Sequence, residues 1–169
     1  GSSGGTESGG TSSIPANCDY SETAGYLSCV DDTSTIIIDV PDTWLDFNGS
    51  EWTYDGEVIG VAISAAPSLA DFDSYYDSPG VFFGASDTFA QWGGYVEFLD
   101  AYTQAYKEGC KFDGRYDYND SLYRGKYDYY VNCGGAGGSD AFVLAAVPID
   151  APASAMIVLM TQLPAGEEA

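Results

Sequence analysis

The chain has 169 residues, of which 26 are acidic, 5 are basic and none is histidine, so its formal charge at neutral pH is −21. Such a field repels phosphate backbones and anionic headgroups, because binding either depends on Lys and Arg displacing counterions; nucleic acid and direct membrane insertion are not expected. Serine-protease triads and Cys-His pairs are excluded with them, since each needs an imidazole as proton acceptor.

With 45% hydrophobic residues at this length, the chain is expected to bury one full core as a single domain and a monomer. Residues 1–17, GSSGGTESGGTSSIPAN, hold too little apolar surface to offset the entropy of ordering them. They read as a flexible tether, with the domain spanning 18–169. The tract resembles the spacer after the lipidated cysteine of bacterial surface lipoproteins. That likeness implies an extracytoplasmic protein, secreted or held at the cell surface by a lipid anchor preceding Gly1. No run of roughly 20 apolar residues occurs, and a secretion signal is expected outside the chain.

Beyond the tether, Leu27 to Val30 and Ile36 to Val40 are short aliphatic runs flanked by Asp, Ser and Thr, as consecutive strands with a turn near Asp31 and Asp32 would be. Pro41 closes the second. Glu57 to Ala66 is a longer apolar run, and Ser68-Leu69-Ala70-Asp71 after Pro67 has the spacing of a helix start. Leu69, Phe72, Tyr75 and Tyr76 then share one side of a short helix. Val81-Phe82-Phe83, between Pro79-Gly80 and Gly84, reads as a strand. In Tyr95 to Lys107 the apolar positions Tyr95, Phe98, Leu99, Tyr102 and Tyr106 recur at three- and four-residue intervals, a stripe able to cover a sheet. Gly109 supplies the stop. Ala141 to Pro148 and Ala155 to Leu163 are apolar enough for central strands buried on both faces, with a Pro-containing turn between them.

All five bases, Lys107, Lys111, Arg115, Arg124 and Lys126, lie in one stretch together with Cys110 and Cys133. The four cysteines fall by spacing into two pairs, Cys18 with Cys29 and Cys110 with Cys133, neither spaced as zinc ligands. Two structural disulfides in an oxidising compartment is the reading, with buried free thiols the alternative. Loops of about 12 and about 24 residues would each contribute roughly 3 kcal/mol. If Cys110 lies opposite Cys133 in an antiparallel hairpin, counting inward sets Phe112 against Val131 and Tyr116 against Tyr127 on the cysteine face. Arg115 then meets Asp128, and Asp117 meets Lys126, on the other face. Two opposite-charge pairs in one register assign most of the cations to the scaffold.

The runs Val40-Pro41-Asp42-Thr43-Trp44, Ala65-Ala66-Pro67-Ser68-Leu69 and Pro79-Gly80-Val81-Phe82-Phe83-Gly84-Ala85-Ser86, and the hairpin ending in Cys133-Gly134-Gly135, together resemble a bacterial extracytoplasmic domain. That domain is found C-terminal to trypsin-like serine proteases and in membrane protein kinases. The resemblance implies a PsbP-like α+β sandwich, a mostly antiparallel sheet of six to eight strands covered by helices. Such domains close with a helix after the last strand. Here the sequence after Leu163 reaches only Ala169, so one sheet face is expected either to lie open or to be closed by residues outside the chain.

Nothing in this pattern carries chemistry. With so many acids, paired carboxylates for glycan hydrolysis would arise by coincidence. Asp113, Asp117, Asn119 and Asp120 offer calcium-type oxygens without EF-hand spacing, and read better as a solvated turn. No catalytic residue, metal or cofactor is expected. The chain carries 14 Tyr, 8 Phe and 3 Trp, and aromatic surfaces bind well because the ring packs while its polar tip stays wet. Of the aromatics Trp44, Trp52, Tyr54, Phe83 and Trp92, the candidate ligand-binding residues are Trp52, Trp92, Phe83 and Trp44, with Trp52 and Trp92 expected in exposed loops. The function expected is a non-enzymatic binding or accessory domain for a protein or small-ligand partner. The alternatives are a carboxylate-dependent extracellular glycan hydrolase and a purely structural surface protein.

Overall fold

The computed structural model describes residues 13–75, 78–135 and 137–164. Tyr76 and residues 1–12 of the expected tether lie outside them. The first described residues already belong to the fold. Ile14 packs against a buried cluster and the Asn17 amide donates to the Val30 carbonyl and to Asp32.

Three short strands, β1 (Cys18–Tyr20), β2 (Tyr26–Val30) and β3 (Ile37–Pro41), form a separate antiparallel sheet in that order. The Cys18–Cys29 disulfide joins β1 to β2 at directly opposed residues. Between β2 and β3 the chain turns around Asp31, which is 1% exposed. Its carboxylate accepts the N–H groups of Thr33, Thr35 and Ile36 and the Thr33 hydroxyl.

The large sheet follows: β4 (Asp46–Asn48), β5 (Glu51–Tyr54), β6 (Glu57–Ala66), β7 (Gly80–Ser86), β8 (Lys111–Asn119), β9 (Tyr123–Cys133), β10 (Ser139–Pro148) and β11 (Met156–Leu163). Its order is β4-β6-β7-β11-β10-β9-β8, with β5 also on β6, and every pairing is antiparallel. Asp55 and Gly56, both at positive φ, make the two-residue turn between β5 and β6.

Three helices, α1 (Leu69–Ser74), α2 (Asp87–Trp92) and α3 (Tyr95–Tyr106), complete the chain. As the sequence predicts, Ser68 caps α1 by accepting the Asp71 N–H. The predicted α3 stripe faces inward, where Phe98 and Leu99 pack with Tyr130, Ala141, Val143 and Val158. Burying Leu99 alone contributes roughly 2 kcal/mol. Across the sheet, Leu27, Cys29, Val40 and Trp44 pack against Ala65 and Val81. The molecule is therefore a mostly antiparallel α+β fold in three layers, with helices on one face of the large sheet and the small sheet on the other.

Two expectations change. The strands β10 and β11 are central but not buried on both faces: on β10, Ala141, Val143 and Ala145 of the helix side are at 0% exposure, while Phe142 and Leu144 between them are half-buried. In the β8–β9 hairpin, Arg115 does meet Asp128, Tyr116 meets Tyr127 and Asp117 meets Lys126, but Phe112 pairs with Tyr130 and not Val131. The cause is an irregularity between Phe112 and Gly114 that leaves Asp113 unmatched. The count returns at the Cys110–Cys133 disulfide because Asn132, at φ 55°, is an extra residue on the other strand. The bulge moves Phe112 and the cystine to the α3 side, where Phe112 meets the Tyr130 ring and Cys110 and Cys133 join the core.

That side also holds the main ionic node. Arg115 donates through Nε and Nη2 to both oxygens of Asp128 at 2.6 and 2.9 Å, and through Nη1 to Asp100 of α3 at 2.7 Å. Thr103 adds its hydroxyl to Asp128 at 3.0 Å. The bond to Asp128 keeps the guanidinium far above its ordinary pKa against the opposing effect of burial, so Arg115 stays charged at any pH at which the fold exists.

Candidate functional site

The small turn Asp55-Gly56 places β5 beside β6 with Trp52 on the helix side, where the facing position on β7 is Gly84. A Cβ on Gly84 would come within 2.7 Å of the indole, so the missing side chain is what seats Trp52 flat on the sheet. The expected loop is thus a strand, and Trp52 is half-buried instead of exposed.

The chain then turns from β7 directly into α2. Ser86 caps the helix by accepting the Phe89 N–H at 3.0 Å, while its own hydroxyl donates to the Ile59 carbonyl at 2.6 Å. This fixes Phe89 as a hub. Its ring lies 5.2 Å from Trp52, 5.9 Å from Tyr54, 5.2 Å from Trp92 and 5.3 Å from Phe98, all edge to face. Tyr54 and Trp92 close the set at 6.0 Å. Edge-to-face pairs contribute about 0.5–1.5 kcal/mol each beyond the area they bury, so the cluster is stiff.

The outer members of this stiff set reach solvent. Trp92 is 60% exposed and Tyr54 53%. Beside them a shallow hollow of about 180 Å³ runs from Trp92 to Glu97, whose carboxylate accepts the Gly94 N–H at 2.9 Å. Burial, with Tyr54 close by, raises the pKa of the Tyr102 phenol beneath. The surface is therefore aromatic and flanked by acid, with the Tyr102 phenol held protonated beneath it.

Phe83 and Trp44 do not join it. Phe83 lies on β7 opposite Ile63 and Leu159, on the small-sheet side. Trp44, 8% exposed, is part of the packing between the two sheets and lines a cleft of about 400 Å³ there. The four candidate aromatics thus divide between opposite faces, and only Trp52 and Trp92 share a site. Tyr54, one of the aromatics the sequence offers, joins the site, while Phe89 is missing from the sequence reading; the Ser86 cap before it is the signal that could have found it.

The acidic loop behaves as a turn. Asp120 accepts the Leu122 and Tyr123 N–H groups and the Tyr118 hydroxyl, which together lower its pKa. Asp117 pairs with Lys126, and Asp113 accepts the Tyr116 hydroxyl. Among the described residues no group of three or more His, Cys, Asp or Glu is arranged to hold a metal, and no helix is long and apolar enough to cross a membrane. Compared with protein-family models, curated proteins and solved structures, the chain matches none.

Proposed function

We propose that this chain is a non-enzymatic extracytoplasmic binding domain, PsbP-like in architecture, that engages a partner protein through the aromatic surface centred on Trp92 and Tyr54. The observation that carries this reading is an indole 60% exposed yet braced by Phe89 and Tyr54. A large ring already held in one place loses little entropy on docking, which is why Trp and Tyr dominate binding hot spots. The flanking hollow is too small and open to enclose a ligand, which favours a protein surface over a small molecule.

Support for a non-catalytic role comes from the buried carboxylates. Asp31 is occupied by backbone N–H groups, Asp128 by Arg115, and Asp140 by the Tyr129 hydroxyl. Both disulfides form, which fits an oxidising compartment, and a bacterial surface lipoprotein or secreted domain is the setting proposed. The four runs that suggested a PsbP-like domain fall on β3, on the β6–α1 join, on β7 and on the β8–β9 hairpin.

The test is capture from native membrane and extracellular extracts with the wild-type chain and with Trp92→Ala. The wild type should retain a partner, and the variant should weaken it by about 30-fold or more, as hot-spot truncations do, while its urea midpoint, lowered by the two ring contacts it loses, still shows a fully folded chain under the capture conditions. A partner held equally by both, or none captured by the wild type, overturns the proposal.

A further inference from the structure

The small sheet covers only part of the large one. Its core residues rest on β6 and β7, with Leu159 and Leu163 of β11 at the margin. Past β11, the same face of β10, β9 and β8 presents Phe142, Leu144, Tyr127, Tyr129 and Tyr116, none of them fully buried. Their rings form a continuous shelf, with Tyr129 stacked on Phe142 at 4.6 Å and Tyr127 at 5.4 Å from Tyr116. A strand with one face fully buried and the other carrying half-exposed Phe and Leu is a sheet face still able to accept cover.

The small sheet ends beside this shelf. Among the described residues β3 pairs only with β2, and the bonds Asp42 N–H to Gly25 and Asp31 N–H to Ile36 set the register so that the N–H and C=O groups of Ile37 and Asp39 point away from the sheet; Pro41 ends this edge, having no N–H and a carbonyl that accepts the Trp44 N–H. That free edge runs along the cleft of about 400 Å³, whose walls include Ile38 and Val40 of β3 and whose floor includes Leu159 and Leu163 of β11. An open strand edge above an apolar floor is the geometry of strand addition: main-chain bonds hold the guest, and alternate side chains fill the space beneath.

Charge selects the guest. Arg115 and Lys126 are turned to the helix side, paired with Asp100, Asp128 and Asp117, and Arg124 lies there too, beside Tyr95 and Val147. Lys111, opposite Val131 at the far end of β8, is the one base toward the shelf. The carboxylates there and beside the cleft are Asp39 on β3, bonded to the Ser21 hydroxyl, Asp113 under Tyr116 and Asp140 under Tyr129. In an added strand the apolar side chains would face the shelf and the intervening ones the outer face of the small sheet, where exposed Asp39 stands and, among the described residues, none of β1 to β3 is basic.

We infer that the free edge of β3 takes up an extended segment of another protein, apolar at alternate positions and basic between them, as a fourth strand of the small sheet. This surface lies on the opposite face from Trp92 and does not depend on it.

The probe is an eight-residue peptide alternating valine and lysine with blocked ends, titrated into the full chain by calorimetry and followed by hydrogen exchange. Binding should slow exchange at the β3 amides and weaken as salt rises. Methylating the peptide nitrogens along one edge, which leaves the protein untouched, should weaken binding by about tenfold or more, as should Leu144→Lys on the half-exposed shelf. The valine–glutamate counterpart should not bind. The inference is overturned by no binding of the lysine peptide at millimolar concentration, by equal binding of the methylated or the acidic peptide, or by binding that leaves the β3 amides unprotected. It is overturned equally by a chain that sediments as a dimer with those amides already protected, since a second copy would then hold the edge.

Discussion

Asp128→Asn removes one charge from the node that ties α3 to the β8–β9 hairpin while keeping the size of the side chain. Asp128 is at 0% exposure and accepts two bonds from Arg115 and one from Thr103. Breaking a buried pair from one side typically costs about 3–5 kcal/mol, because the remaining charge loses its counter-ion without regaining water. Arg115 keeps some water, with its side chain 23% exposed, and it retains Asp100, so the cost expected here falls to roughly 2–3 kcal/mol. Asp100→Asn is the control. Its carboxylate is 64% exposed and bonds the same guanidinium, so its loss should cost less than about 1 kcal/mol. Urea unfolding at neutral pH with the disulfides intact reads both, as a lower midpoint at an unchanged slope. If Asp128→Asn loses under about 1 kcal/mol, or if Asp100→Asn loses as much as Asp128→Asn, the node is not organised around a buried carboxylate and the reasoning fails.

Asp31 supplies a pH dependence. Burial raises its pKa, but the Thr33 hydroxyl and the Ile36, Thr33 and Thr35 N–H groups outweigh burial and hold it below its ordinary value. The folded chain therefore binds this proton less tightly than the unfolded one, so the stability contributed is complete above the unfolded carboxyl range and is lost as pH falls through the folded value. Unfolding midpoints measured from neutral to acid pH should decline, and Asp31→Ala should flatten that decline while costing roughly 1–3 kcal/mol at neutral pH, the penalty for unsatisfied buried donors. Two glycines on the hairpin should differ in thermal unfolding. A Cβ on Gly125 would lie 2.0 Å from the Ala145 carbonyl oxygen, so Gly125→Ala should cost about 3 kcal/mol or more, whereas at Gly114 the nearest atom is the Tyr116 hydroxyl, which can swing into solvent, and Gly114→Ala should cost under about 1 kcal/mol. Replacing Cys110 and Cys133 together by Ser should lower stability by roughly 3 kcal/mol, about the loop-closure entropy of the segment they bracket, read from the same unfolding curves.

What the sequence disclosed was local. The β6 run, the α3 stripe and the Ser68 cap each signal within a few residues of themselves, and the charge pairs of the hairpin fix its register near the turn. Past Gly114 the register is set by a bulge, and the order Asp113-Gly114 does not announce which strand will carry the extra residue. The short strand β5 reads as loop because, of Glu51–Tyr54, only Trp52 is even half-buried, too few apolar positions to show alternation. The same non-local origin misplaced Trp52 itself: its burial is decided by Gly84, on another strand across the sheet. Trp92 is exposed as expected, because Gly93 and Gly94 follow it, but it is the last residue of helix α2 and does not lie in a loop. That β1 to β3 form their own sheet could not be read, since alternation gives a strand two faces but does not say which neighbour covers either.

The placement of the cations links these observations to binding. At physiological salt the field of an exposed charge fades within about 8 Å, so a net charge of −21 reaches a partner only through the acids near the point of contact. Arg115 and Lys126 are engaged by Asp128, Asp100 and Asp117 on the helix side of the hairpin, which leaves the surfaces around Trp92 and beside β3 with nearby carboxylates such as Glu97 and Asp39. Charge of this kind governs the rate of encounter more than the lifetime of the complex. The lifetime depends instead on rings held rigid before contact. Phe89 holds Trp92 and Tyr54 in that way on one face, and Phe142 does the same for Tyr127 and Tyr129 on the other. Under the proposed function, an acidic surface combined with preset aromatic rings would recruit cationic partners quickly and retain those whose shape fits the rings.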